Sequence, residues 1–330
     1  TCKKYCRCSR PEKFQLTYRK KLYFANAVKK DDNYSYKVYP FLLISFTCQK
    51  YARQFSYKAQ KLNKMNIFGI GKYQGYKVHE QDASPVLQLA CLRDIPTAGW
   101  IKFKGKERKG EDKETRCHSE FSVSWKNLMK SDQEDVPRPL VLSFDIEVNS
   151  TNPNKMPNAN NPGDKIFQIS CVLGRQGDSD NEYEKYLLTL GEPDTDIVND
   201  SEIWQFNTEA GLLEGFTEFV NEKNPQLIIG YNILGFDIPY MIDRAKLHMC
   251  IQQFDKLGAR IGIQAKERTI KWSSSAYGTQ EFQFLDAEGR LFVDLLPLIK
   301  RDYKFDNYKL KTVCAFFLGE TKDPLSPKGI

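Results

Sequence analysis

The sequence contains no apolar run near the ~20 residues that a membrane-spanning helix needs. Its longest apolar stretches, such as Leu227–Gly230 and Leu291–Leu298, are short, and charge or proline interrupts them. It also shows no apolar signal region, no internal repeat and no low-complexity tract. These absences argue against a helical membrane protein and a repeat architecture. Because the chain starts at Thr1 rather than Met, we expect a processed product or a fragment.

The nine cysteines do not form a disulfide pattern. Their odd number, without a secretory signal, favours reduced thiols inside a cell. Cys2, Cys6 and Cys8 form a cluster whose spacing would suit three zinc ligands. No second ligand pair follows nearby, and the closest histidine is His79. We therefore predict ordinary thiols rather than a zinc site.

The charge of the chain is basic but uneven, with a net charge of +7 over 330 residues. Basic residues concentrate in the first thirty positions and again at Lys102–Lys109, whereas the balance is acidic between Asp178 and Glu218. Basic runs interleaved with tyrosines favour a nucleic-acid partner, although a solvated surface has the same pattern. The length predicts two domains.

The first half of the chain predicts an α+β domain with mostly antiparallel strands. Residues 36–47 are typical of a buried strand and 49–66 of an amphipathic helix. Short strands are expected around Val78, at Val86–Cys91 and at Gly99–Phe103.

A connector between two domains is predicted from composition. Residues 104–118 are charged and residues 127–138 are polar, so we place the boundary near Pro139. The first domain is then 1–138, in which 1–35 is expected to be a flexible basic segment, and the second is 139–330.

The second half alternates between strand and helix patterns, which favours a mixed sheet flanked by helices. The expected elements are strands at Leu140–Val148, Ile166–Leu173, Tyr183–Leu190 and Gln226–Tyr231, helices at Thr208–Asn221 and Ile238–Lys246, an Asn/Pro loop at Asn149–Asp164, and paired strands within 268–293 around the turn Asp286–Gly289.

Two carboxylates lie on one face of the strand at Leu140–Val148. Asp145 and Glu147 are two residues apart, so they project to the same side, opposite Phe144 and Ile146. Paired carboxylates on an apolar strand are costly unless their charge is compensated, and Mg²⁺ or Mn²⁺ suits such hard oxygen ligands. A solvated edge strand is the structural alternative.

A second candidate is the segment Ile228–Tyr240. An apolar strand ends at Gly230, a loop carries Asn232, and Asp237 opens a helix that has Pro239 in its first turn. Asp237 either caps the helix or faces a metal supplied by the neighbouring strand.

These motifs together resemble the exonuclease region of B-family DNA polymerases. The order Asp-Ile-Glu at Asp145–Glu147 and Gly-Tyr-Asn-x3-Phe-Asp-x-Pro-Tyr at Gly230–Tyr240 is similar to the family's first two exonuclease motifs. Further resembling segments are Pro162–Ser170, Gly289–Leu296 and Tyr308–Asp323. The resemblance is strong over 139–330, weaker over 36–138, and closest to the delta type of eukaryotes and large DNA viruses.

The resemblance implies a ribonuclease-H-like 3′→5′ proofreading exonuclease with two divalent metal ions, Mg²⁺ or Mn²⁺. Asp145 would bridge both ions, Glu147 would hold the ion that activates water, and Asp237 would hold the other. Asn232 and Phe236 would contact the unpaired 3′ end, and the paired strands of 268–293 would help to move the primer end. Asp294 is assigned a structural role only.

The implied partners are primer–template DNA and a single-stranded 3′ end, with a sliding clamp or accessory subunit left open. The implied location is intracellular, in the nucleus or at a viral replication site.

The family's third exonuclease motif, Tyr-x3-Asp, is not found. Tyr303 is followed by Asp306 and Tyr308 by Thr312, and neither spacing fits. We therefore expect a fragment truncated before that motif, without a polymerase domain and with an incomplete exonuclease site. The alternatives are a standalone 3′→5′ exonuclease and an inactive polymerase-like scaffold that binds nucleic acid.

Overall fold

The computed structural model describes most of the chain. The described residues are 11–20, 27–30, 33–36, 38–61, 66–67, 71–72, 78–80, 83–152, 154–193, 200–274 and 278–320. Contacts divide the chain into two compact units, Thr1–Gly105 with Val123–Glu134 and Lys106–Ser122 with Asp135–Ile330. No helix within the described ranges is both long and apolar enough to cross a membrane. The cluster Cys2, Cys6 and Cys8 lies outside them.

The described residues of the first half form short strands and two α-helices. These elements are β1 (Lys13–Lys20), β2 (Ala27–Lys30), β3 (Asn33–Tyr36), β4 (Val38–Ser45), α1 (Gln49–Lys61), β5 (Asn66–Ile67), β6 (Gly71–Lys72), α2 (Pro85–Arg93), β7 (Ile101–Arg108) and β8 (Glu120–Lys130). The pairs β1–β4, β2–β3 and β5–β6 are antiparallel. The predicted α+β character with mostly antiparallel strands is confirmed.

The strand predicted at Val86–Cys91 is wrong, because these residues form helix α2. Ser84 is its N-cap and accepts a hydrogen bond from the backbone N–H of Val86 at 3.3 Å. Pro85 occupies the first helical position, where its missing N–H is not needed. This start signal outweighs the β preference of a single valine.

Other predictions in the first half need adjustment. The predicted helix 49–66 ends at Lys61 in α1, and β5 begins at Asn66. Val78 lies in no strand. Part of the predicted flexible segment 1–35 forms β1, which pairs with β4, so this part belongs to a folded unit.

The predicted connector is interrupted by a strand. The ribbon β7–β8 forms a two-stranded sheet that includes residues 104–108 and 127–130 of the predicted connector. The strand β8 alternates Phe121, Val123 and Trp125 with polar residues, a period-2 pattern that favours a strand despite the charge around it.

The second half is built on one sheet. Its elements are β9 (Leu140–Val148), β10 (Ile166–Arg175), β11 (Glu184–Leu190), β12 (Ser201–Phe206), α3 (Glu209–Lys223), β13 (Leu227–Gly230), α4 (Asp237–Leu247), α5 (Ile251–Phe254), β14 (Lys266–Ser274), β15 (Gly278–Asp286), β16 (Leu291–Asp294), α6 (Leu295–Asp302) and α7 (Leu310–Phe317).

The sheet has six strands in the order β12-β11-β10-β9-β13-β16. The strands β9, β10 and β11 are antiparallel neighbours, whereas β13 runs parallel to both β9 and β16. The predicted mixed sheet is confirmed, although β12 was not predicted. Because β9, β13 and β16 are parallel, the residues that follow their carboxyl ends meet at one edge of the sheet.

The hairpin predicted within 268–293 exists, but its turn is elsewhere. The strands β14 and β15 pair antiparallel from Lys266↔Asp286 to Ser274↔Gly278, so the chain reverses between Ser274 and Gly278. The turn Asp286–Gly289 instead joins β15 to β16. Turn-forming residues occur both near Ser274–Gly278 and at Asp286–Gly289. Only the cross-strand pairing register shows which of the two segments closes the hairpin.

The core of the second unit lies between the sheet and α3. Thr208 caps this helix by accepting from the backbone N–H of Gly211 at 3.0 Å. The helix buries Phe216 and Phe219, whose rings pack on Phe144 of β9 and Tyr186 of β11 at centroid distances of 5.3 and 4.9 Å. Each buried aromatic ring stabilises the fold by about 1.5–3 kcal/mol.

A buried ion pair joins α3, α4 and the loop 149–164. Arg244 of α4 is fully buried and forms a two-pronged hydrogen bond with Glu209 of α3. Its Nη1 also donates to the carbonyls of Ala159 and Asn161 at 3.0 and 2.7 Å. Glu209 accepts in addition from His248 Nε2 at 2.8 Å, so one charged cluster orders three segments.

We predict that Arg244→Met lowers the free energy of unfolding by about 3–5 kcal/mol, because it leaves the buried Glu209 carboxylate without its main partner. The control is Arg268→Met, since the pair Arg268–Asp286 is about half exposed. It should cost at most about 1 kcal/mol. Urea denaturation followed by far-UV circular dichroism measures both, and similar small losses would contradict the prediction.

Candidate active site

The first two predicted site residues lie near the carboxyl end of β9. Leu142, Phe144 and Ile146 of this strand are buried in the core. Asp145 between them is exposed and Glu147 is half-buried. The alternation places both carboxylates on the face opposite the core, as the strand period requires.

The third predicted carboxylate, Asp237, is buried with only 3% of its surface exposed. It is the first residue of α4, whereas Phe236 occupies the N-cap position without a side-chain hydrogen bond. Asp237 therefore does not act as the N-cap. Its Oδ1 instead accepts from the backbone N–H of Ile146 in β9 at 3.3 Å, which brings its carboxyl next to that of Asp145.

The environment of Asp237 disfavours its ionised form. Burial, and then the negative charge of Asp145, raise the pKa of Asp237 to about 7. The bond from Ile146 acts in the opposite direction but does not compensate. Two carboxylates in contact, one of them buried, require either a proton or a cation between them.

Asp145 and Asp237 are brought together, but Glu147 does not complete a three-ligand cluster with them. Among the residues that the structure describes, no group of three His, Cys, Asp or Glu side chains is placed to hold a metal ion. The donor set that is formed, two carboxylates at the end of a buried strand, fits a hard cation such as Mg²⁺ or Mn²⁺. Water and substrate oxygens would have to supply its other ligands.

Asn232 lies in the loop between β13 and α4. Its backbone is in the left-handed region, with φ of +66°, and its carbonyl accepts from the N–H groups of Gly235 and Phe236, both at 3.0 Å. The Asn232 side chain lies against Gly235, where a Cβ would come within 2.5 Å of its Oδ1. Position 235 therefore requires glycine for the loop to hold Asn232 in this place.

Phe236 borders a cleft of about 360 Å³ between the loop 149–164 and the start of α4. Its ring packs on Tyr240 with 5.5 Å between the centroids. The opposite wall is residues 156–160, including Met156, whose side chain is largely exposed. The cleft also borders Gly235 of the loop that carries Asn232, whereas Asn232 itself does not line it.

Sequence reasoning missed the residues that order this region. Asp164 is buried and accepts from the N–H groups of Thr151 and Asn158, each at 2.8 Å. The hydroxyl of Tyr240 donates to the Asp164 carbonyl at 2.9 Å, which fixes the loop on α4. An aspartate in a loop of asparagines gives no sequence signal of burial.

The hairpin β14–β15 contacts the loop between β13 and α4, which carries Asn232. The backbone N–H of Gln283 donates to the carbonyl of Leu234 at 3.2 Å. Asp294, assigned only a structural role from the sequence, also bonds to this loop through the backbone of Asn232 and Leu234. The carboxyl ends of β9, β13 and β16 thus share one polar edge.

Comparison with known proteins gives a consistent result. Residues 76–313 match the family model for the exonuclease domain of family B DNA polymerases. The chain is 46% identical over 328 residues to DNA polymerase 120R of Invertebrate iridescent virus 3, which covers 96% of this chain and 28% of the viral protein.

Two further relatives agree with that match. DNA polymerase 037L of Invertebrate iridescent virus 6 is 37% identical, over 94% of this chain and 26% of the relative. The DNA polymerase delta catalytic subunit of Schizosaccharomyces pombe is 29% identical, over 80% of this chain and 24% of the relative. The chain thus spans little more than a quarter of the length of the curated relatives that it matches best among these.

We predict that Asp237→Asn stabilises the chain without divalent cations, because it removes a buried charge and keeps an oxygen that can accept from Ile146. The raised pKa makes the ionised carboxyl increasingly unfavourable as pH rises from about 4 to about 7. The gain should be near zero at pH 4 and on the order of 4 kcal/mol at pH 8, because the pKa of Asp237 rises from 3.8 to about 7 and each pKa unit corresponds to ~1.4 kcal/mol.

Thermal unfolding in a chelating buffer across this range measures the gain. The control is Asp243→Asn, a half-buried aspartate of the same helix, which we expect to change stability by less than about 0.5 kcal/mol. Destabilisation by Asp237→Asn at pH 8 would contradict the prediction.

Proposed function

The chain belongs to the B-family DNA polymerases, and we propose that it is part of a replicative DNA-directed DNA polymerase in which this region carries the 3′→5′ proofreading exonuclease. Its substrate in this proposal is a mispaired, unpaired 3′ end, and the reaction is hydrolysis of the terminal phosphodiester. Residues 1–138 are assigned to the N-terminal domain and 139–330 to the exonuclease domain.

The observation that carries the proposal is the contact between Asp145 and Asp237. Asp145 lies near the carboxyl end of β9, and Asp237 begins the helix that follows the parallel strand β13. Asp237 is buried, and the charge of Asp145 disfavours its ionisation. Asp164 and Asp294 each accept from several N–H groups, whereas burial and the charge of Asp145 leave the charge of the Asp237 carboxyl uncompensated. A site with a deficit of positive charge is what a hydrolytic metal centre needs before it is loaded.

In this proposal the carboxylates hold two divalent cations, Mg²⁺ or Mn²⁺, and water and substrate oxygens supply the further ligands. Such ions stabilise the attacking and the leaving oxygen of a phosphodiester and lower the pKa of bound water. Asp145 is proposed to contact both ions, Asp237 one of them and Glu147 the other. The role of Glu147 is supported by its position on the same strand face as Asp145.

The DNA end is proposed to occupy the space beside the loop between β13 and α4. Asn232 would donate hydrogen bonds to the terminal nucleotide, and Phe236 would pack against a base, since aromatic rings stack on bases without regard to sequence. The hairpin β14–β15, whose backbone bonds to the same loop, is placed to influence the movement of the primer end.

The wider setting follows from the relatives. Their names are viral DNA polymerase and DNA polymerase delta catalytic subunit, so we propose DNA as partner and an intracellular site of replication, nuclear or viral. A sliding clamp or accessory subunit is a candidate partner of the whole polymerase. The presence of Asp145, Glu147 and Asp237 favours an active exonuclease over a scaffold.

We predict that Asp145→Asn and Asp237→Asn, each placed in the complete polymerase, reduce excision of a 3′-labelled single strand at least ~100-fold. Metal ions contribute several kcal/mol to the transition state, and each ~1.4 kcal/mol is tenfold in rate. Primer extension should be unaffected.

The matched control is Glu202→Gln, which changes an exposed carboxylate on the edge strand β12. It should excise at the wild-type rate. If Asp237→Asn excises within about twofold of wild type, the pair does not serve this hydrolysis.

A further inference from the structure

Asp294 is a buried carboxylate with an unusually complete set of partners. It ends strand β16, and only 6% of its surface is exposed. Its Oδ1 accepts from the backbone N–H groups of Asn232 at 2.8 Å and Leu296 at 2.9 Å. Its Oδ2 accepts from the N–H of Leu234 at 3.0 Å. One side chain therefore caps helix α6 and holds the loop between β13 and α4.

That loop depends on outside partners for its backbone. It leaves the sheet at Gly230 and enters α4 at Asp237, and its own hydrogen bonds satisfy only Gly235 and Phe236. The left-handed backbone of Asn232 is held from outside by the bonds to Asp294. Unpaired backbone N–H groups at a partly buried site cost free energy, so without this carboxylate the loop would adopt another arrangement.

The hydrogen-bond partners of Asp294 also distinguish it from a carboxylate that binds a metal ion. Its oxygens accept from three N–H donors, and one of these, the N–H of Leu296, lies in the first turn of α6, where the helix dipole favours negative charge. Asp237 instead accepts from the N–H of Ile146 at 3.3 Å and lies beside a second carboxylate, that of Asp145. Two buried aspartates at one edge of the sheet thus have opposite electrostatic situations.

We propose that Asp294 is a positioning residue of the exonuclease site, which sets the place of Asn232 and the entry of α4 at Asp237 through the loop backbone. The assignment rests on the proposed function. A displacement of about 1 Å at a reacting centre costs on the order of a hundredfold in rate, so a clamp on this loop affects turnover without contact to the substrate.

The test is Asp294→Asn in the complete polymerase, assayed on single-stranded DNA below its unfolding temperature. The amide keeps the volume but turns an N–H₂ group toward an N–H donor. We expect kcat for excision to fall about 10- to 100-fold and KM for the DNA end to rise at least about fivefold. Primer extension should not change.

The KM change separates positioning from a merely structural role, because a smaller folded fraction lowers apparent kcat and leaves KM unchanged. The matched control is Glu120→Gln in β8, which alters a carboxylate that also accepts two backbone N–H bonds, from Glu114 and Thr115. It should leave both constants at their wild-type values.

Amide hydrogen exchange in the wild-type chain keeps the proposal testable if Asp294→Asn does not fold. The N–H groups of Asn232 and Leu234 should exchange at least ~100-fold more slowly than unprotected amides. Unprotected exchange at both positions, or a folded Asp294→Asn enzyme with wild-type kcat and KM, overturns the positioning role alone. A wild-type polymerase that does not excise 3′ ends overturns the proposed function and this assignment together.

Discussion

Burial of the Asp237 carboxylate beside Asp145 is the constraint on which the rest of the site depends. The unfavourable contact arises because β13 is parallel to β9, so the helix that follows β13 begins next to the end of β9. The start of α4 and the N–H of Ile146 offset part of the cost. The remaining cost is removed when the pair of carboxylates takes up a proton or a cation. This uncompensated negative charge is the chemical property that the fold creates at the site.

The other buried carboxylates of the second unit show how the same scaffold avoids such a demand. Glu209 has the guanidinium of Arg244, and Asp164 and Asp294 are surrounded by N–H and hydroxyl donors. These three residues hold the segments around the site. Glu209 and Asp164 hold the loop 149–164, and Asp294 holds the loop that carries Asn232. These satisfied carboxylates order the segments around the Asp145–Asp237 pair.

Local sequence patterns predicted the parts of the fold that depend on local interactions. The alternation in Leu140–Val148 placed Asp145 and Glu147 on one face, and a strand followed by a glycine, a loop and a proline located α4. Tertiary contacts could not be predicted in this way. The network of Arg244, the burial of Asp164 and the bonds of Asp294 to a loop 60 and 62 residues earlier in the chain leave no local pattern. The strand wrongly predicted at Val86–Cys91 shows that a capping residue before a proline outweighs β propensity.

The central claim is that Asp145 and Asp237 together bind a divalent cation. The most direct measurement is a Mn²⁺ titration of this chain followed by paramagnetic broadening of its backbone amide signals. We expect the amide signals of Ile146 and Asp237 to broaden first and those of the acidic stretch Asp178–Glu184 to broaden only at higher Mn²⁺ concentration. Asp145→Asn should abolish the early broadening. Broadening that starts elsewhere, or that is unchanged in Asp145→Asn, would contradict it.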